Sequence, residues 1–170
     1  MKHWRAGRVH FLLQFNTPLN DEIRLALASR GAQITGTVPD DAVMVAAGED
    51  FTADGLDVAF SAEMSGADKV SPLVGTHGND EAYLVEFHSD VEPDAGRELL
   101  GSEGLSIVEH PDLAPNHVLV TGTAEQAQNL KNWDEVVYVF PAPAEMLQGE
   151  RVQHCAGALS AGVTVGQYTR

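Results

Sequence analysis

Val9-His10-Phe11-Leu12-Leu13-Gln14-Phe15 and Ala82-Tyr83-Leu84-Val85-Glu86-Phe87 are two strand-like runs, each ending in Phe, and the chain that follows each keeps to one plan. Self-similarity of this kind marks a repeated supersecondary unit. After each Phe comes a proline-containing turn and a helix-like stretch closed by glycine. These are Asn20-Asp21-Glu22-Ile23 through Arg30-Gly31 in the first copy and Glu92-Pro93-Asp94 through Glu103-Gly104 in the second. Gly31 and Gly104 stand where a helix end asks for positive φ. A short β-type run comes next, Ala32-Gln33-Ile34 or Leu105-Ser106-Ile107-Val108. It is followed by a turn, Pro39-Asp40-Asp41 or Ala114-Pro115-Asn116, and then by Val43-Met44-Val45 or Val118-Leu119-Val120. The turn residues suit hairpins.

Each copy is then expected to hold a second helical stretch. It is clearest at Thr123-Ala124-Glu125-Gln126, where Thr followed three residues later by Gln forms a capping box. Closing strands are read at Val136-Val137-Tyr138-Val139-Phe140-Pro141 and, in the first copy, at Asp68-Lys69-Val70-Ser71-Pro72. The order β-α-β-β-α-β, twice, predicts an α+β protein of two tandem ferredoxin-like units with antiparallel sheets. Residues 1–7 form an extension, 8–72 the first unit and 81–141 the second. The linker is 73–80, dense in turn formers at Gly75-Thr76-His77-Gly78-Asn79-Asp80. Residues 142–170 form an extended tail, rich in Gly, Ala and Val, that leads toward a domain outside this chain. The ending Gly166-Gln167-Tyr168-Thr169-Arg170 reads as a cut through a longer protein.

Strand alternation puts Phe11, Leu13 and Phe15 on one face and His10, Leu12 and Gln14 on the other, with Tyr83, Val85 and Phe87 repeating the core face. The opposite side of the second sheet is expected to collect Leu84, Val108, Leu119, Val137 and Val139, an apolar face that calls for a partner, either the other repeat or another protein.

The charge excludes some functions. With 25 Asp+Glu against 10 Lys+Arg the net charge is −15, and no basic cluster is present to hold nucleic acid or anionic lipid. No apolar run approaches the roughly 18 residues of a membrane-spanning helix, and the start Met1-Lys2-His3-Trp4-Arg5 lacks the apolar core of an export signal. Phosphate-binding loops, nucleophile elbows and H-E-x-x-H helices are missing too. The carboxylates read as turns, helix starts and solvated loops. His10, His88 and His117 read as ordinary strand or turn histidines. Cys155, in Arg151-Val152-Gln153-His154-Cys155-Ala156-Gly157, is either an incidental thiol or a zinc ligand reaching a neighbouring domain.

Several segments together resemble a known family. His10-Phe11-Leu12-Leu13-Gln14-Phe15, the Gly31-Ala32 step, Val38-Pro39-Asp40-Asp41-Ala42 and Asp68-Lys69-Val70-Ser71-Pro72 are similar to the amino-terminal pro-region of some bacterial secreted proteases. The two units look like tandem subtilase-type propeptide, inhibitor-like domains. Cys155-Ala156-Gly157-Ala158-Leu159, continuing to Val165-Gly166-Gln167-Tyr168, is similar to the junction before a matrixin-type zinc metalloprotease domain.

The resemblance implies a secreted, noncatalytic intramolecular chaperone and inhibitor whose partner is a protease domain. Zinc would belong to that domain and no cofactor to this chain. It makes Cys155 the candidate zinc ligand, although His154-Cys155-Ala156-Gly157 departs from the Arg-Cys-Gly-containing motif of matrixin pro-regions. Inhibition then needs only a sheet face packed on the enzyme and a tail laid in its cleft, with Gly162-Val163-Thr164-Val165 pairing with an exposed edge. The alternatives are a stand-alone protease inhibitor or a two-domain small-ligand-binding module.

Overall fold

A computed structural model describes residues 7–64, 66–76, 80–143 and Met146. The protein is a mixed α+β chain with two four-stranded antiparallel sheets. The first contains β1 (Val9–Phe15), β2 (Gln33–Val38), β3 (Ala42–Ala47) and β4 (Val58–Glu63) in the order β2-β3-β1-β4, with α1 (Asp21–Ser29) between β1 and β2. The second contains β5 (Asp80–Phe87), β6 (Ser106–Val108), β7 (His117–Thr123) and β8 (Val136–Pro141) in the matching order β6-β7-β5-β8. There α2 (Pro93–Ser102) follows β5 and α3 (Ala124–Asn129) follows β7.

The helix ends show how local sequence sets these elements. Asn20 accepts the Ile23 N–H and caps α1. Beyond the helix, Gly31 at φ +75° lets its own N–H reach the Ala28 carbonyl while the Ala32 N–H reaches that of Leu27. Gly104, at φ +79°, closes α2 in the same way, with Leu105 bonded back to Leu100. At the start of α3, Thr123 and Gln126 form the reciprocal capping box that their spacing predicts.

Two expectations for the first half are corrected. Residues 48–57 form turns rather than a second helix, with Phe51 bonded to the Gly48 carbonyl and Leu56 to that of Ala53. Phe51, Ala53 and Leu56 pack on the core of Leu13, Phe15, Leu27, Val43 and Val45, so turns fill the volume that a helix fills in the second half. Arg30 holds those turns through bonds to the Thr52 and Asp54 carbonyls.

The closing strand of this sheet is β4, not Asp68–Pro72. The run Val58-Ala59-Phe60-Ser61-Ala62-Glu63 has modest β-propensity and is mostly exposed, and pairing with β1 is what orders it. Asp68 and Lys69 end a short 3-10 turn, Gly66–Lys69, after which Val70 makes a parallel bridge to Val139 and Val74 enters the core of the second half.

Both sheets carry the same irregularity. The register slips between Gln14 and Phe15 opposite β4 and between Glu86 and Phe87 opposite β8, leaving Ala59 and Val137 as extra residues. A bulge breaks the two-residue period, so Val136 and Val139 both face the core. Val139, expected on the outer face, is therefore fully buried beneath the helices.

Asp40 and Asp41, at the tip of the β2–β3 hairpin, both take left-handed φ values, 63° and 56°. Asp tolerates this region and a β-branched residue does not. Asp41→Val is expected to lose about 2 kcal/mol and Asp41→Gly to gain about 0.5 kcal/mol, as read by chemical denaturation.

Candidate functional site

Two places in the fold bring chemistry-bearing or partner-seeking residues together. One is the helix-free face of the second sheet. The register lines up Phe140, Leu84, Leu119 and Val108 in one row across β8, β5, β7 and β6. Leu84 and Leu119 are buried and Val108 is half-buried, packed with Ala82, Leu113, Phe140, Ala142 and Met146. The apolar face anticipated from alternation thus exists, but the chain's own continuation lies on it. The Ala142 N–H bonds to the Ala82 carbonyl, and Met146 joins the cluster. Val137, displaced by the bulge, lines instead a cavity of about 200 Å³ between the halves, with Thr35, Met44, Phe87 and His88. Val163, Val165 and Cys155 lie outside the described residues.

The other place is the contact between the halves, where the helix-free face of the first sheet meets one end of the second. Alternation points His10 away from its own core, and the ring is 4% exposed. Its Nδ1 lies 2.5 Å from Asp134 Oδ2 and its Nε2 2.9 Å from Asp90 Oδ1. The His10 backbone N–H also donates to Asp134 at 3.2 Å. Arg8 pairs with the other Asp90 oxygen at 3.1 Å. Ser89 donates to the Thr35 carbonyl from the second half to the first. Lys69 is fully buried, and its ammonium donates to the carbonyls of Trp133 and Asp134, fixing the loop that carries Asp134.

The electrostatics follow from these contacts. Burial alone would depress the His10 pKa, but hydrogen bonds to Asp134 and then Asp90 outweigh it and the pKa is raised. A ring donating from both nitrogens to carboxylates is an imidazolium. Burial works to raise the carboxyl pKa of Asp90 and of Asp134, but the bonds to His10 prevail and hold both below the ordinary value. Burial lowers the Lys69 pKa against the pull of Asp134, Glu135 and Glu63. His88 lies flat on His10, ring centroids 3.7 Å apart and planes within 3°. Burial, then the charges of His10 and Lys69, push its pKa down to about 3.

This arrangement joins the two halves through side chains. Both His10 nitrogens are occupied by carboxylates, so the ring has no lone pair to take a substrate proton. Among the described residues no group of three His, Cys, Asp or Glu is placed to hold a metal ion. The chain matches no protein-family model and no curated protein.

Sequence reasoning reads His10 and His88 as ordinary strand or turn residues and Lys69 as part of a closing strand, and gives Asp90 and Asp134 no role. The signal that was present is the alternation of β1, which sends His10 out of its own core. Nothing in the sequence links it to Asp134, 124 residues away.

Stability should depend on pH from both sides. The Asp90 and Asp134 contributions are complete above their ordinary value of 3.8 and fade as pH falls through their lowered folded values. The His10 contribution is complete below 6.5 and fades as pH rises through its raised value. Asp134→Asn is expected to lower the His10 midpoint, as followed by NMR of the imidazole carbons. Lys69→Met leaves two buried carbonyls without their ammonium and is expected to cost about 3 kcal/mol, as read by urea denaturation.

Proposed function

We propose that this chain is a noncatalytic pro-region that assists the folding of a secreted protease and inhibits it. In this reading each half is a ferredoxin-like unit. The matching strand orders of the two sheets support that assignment, and the first unit departs from it by replacing its second helix with turns. The resemblance of the sequence to protease pro-regions supplies the functional class.

The observation that carries the reading is the course of the chain after β8. Ala142 carries the pairing of β8 with β5 one residue further, and Met146 packs on the helix-free face of the second sheet. An enzyme docked against the margin of the face, at Val108, Leu113 and Phe140, would receive the tail directly in its cleft. Cys155, by the carry-over from matrixin pro-regions, is the residue offered to the enzyme's zinc. The net charge of −15 favours an enzyme surface of opposite sign and makes association sensitive to salt.

The test pairs this chain with the protease domain encoded in the same gene. Added in trans, the chain should inhibit that domain with a submicromolar constant, corresponding to about 8 kcal/mol or more, and should raise its refolding yield. A chain ending at Met146 should keep its thermal melting and lose at least tenfold in inhibition. A gene with no protease domain, or a domain that refolds and cleaves substrate equally well with and without the chain, overturns the proposal.

A further inference from the structure

His88 is almost fully buried, its Nε2 has no hydrogen-bond partner, and its ring is stacked on one whose two nitrogens are both bonded to carboxylates. The ionisable groups around it come from every element packed there. They are His10 from β1, Lys69 from the 3-10 turn, Asp134 and Glu135 from the loop before β8, Asp90 from its own loop, and Glu86 at the end of β5. The His88 N–H donates to the Glu135 carbonyl, which fixes the backbone within the second half. The ring alone reaches across to the first half, face to face with a cation.

We propose that His88 is an acid-release latch between the two halves: docked, it is held neutral against the His10 imidazolium, and taking up a proton requires the halves to part. Two stacked imidazolium rings in a dry contact repel each other with no water to screen them. Parting removes the repulsion and hydrates both rings.

His88 is the ring whose proton the docked contact leaves without a partner. Asp90 and Asp134 are held below their ordinary range and stay charged as the pH falls toward 5. Between pH 8 and 6.5 His10 strengthens docking as it gains its proton, and below 6.5 that contribution is close to complete, so the His88 proton is read between pH 6 and pH 5. His88 binds its proton at about 3 when docked and near 6.5 when hydrated. The docking equilibrium should therefore weaken about sixfold between pH 6 and pH 5. The inference concerns contacts within this chain and stands apart from the protease reading.

The experiment follows the His10 amide, whose N–H donates across the contact to Asp134. Its hydrogen-exchange protection factor, corrected for the intrinsic pH dependence of exchange, is measured in the full chain from pH 6 to pH 5. A fall of about sixfold in the wild type and of less than twofold in His88→Phe supports the latch. A flat wild-type profile, or the same fall in both proteins, overturns it. Should His88→Phe fail to fold, NMR titration of the His88 ring in the wild type decides. A ring that stays neutral at pH 5 while His10 protection falls supports the proposal, and a midpoint near 6.5 in the docked protein overturns it.

Discussion

The His10 imidazolium held between Asp134 and Asp90 joins the two halves of the chain, and much of the fold near it is arranged to make that contact possible. A lone buried histidine would lose its charge and a lone buried carboxylate would take up a proton. Each stabilises the charged form of the other here because the geometry supplies a bond for each ring nitrogen. Lys69 extends the arrangement by anchoring the carbonyls of Trp133 and Asp134, so the loop before β8 is set from the other half's side of the chain. Removing any one partner leaves the others buried and uncompensated, a far larger loss than that of an exposed ion pair.

Two sheets of matching strand order surround this contact, but they do not use their helix-free faces alike. The first sheet presents His10, Met44 and Ala46 to the second half, and all three are buried. The second sheet turns its row of Phe140, Leu84, Leu119 and Val108 toward the chain that leaves β8. The two halves cover these faces differently while keeping one frame, down to the bulge opposite Phe15 and Phe87.

Local rules made much of the frame legible in advance. Gly31 and Gly104, the capping box at Thr123 and Gln126, and the core faces of β1 and β5 follow from interactions within a few residues, which a sequence displays directly. The bulge at Val137 was not legible, because an extra residue shows itself only through its partner strand, and Val139 was assigned to the wrong face as a result. β4 was missed because its order comes from β1 rather than from its own composition. The charge cluster was missed for a related reason. Each member is unremarkable locally, and its meaning lies in a partner from another part of the chain.

The separation of 124 residues between His10 and Asp134 also bears on how the protein is made. At ordinary translation rates, β1 leaves the ribosome on the order of ten seconds before its carboxylate partner exists. During that interval His10 is an ordinary hydrated histidine, and the face it shares with Met44 and Ala46 has nothing to cover it. The first sheet must wait, exposed, for the second, and contacts of such long range form slowly once both are present. Assembly of the halves is thus the late step in the birth of this chain, and the interval before it is when a neighbouring copy has the best opportunity to intrude.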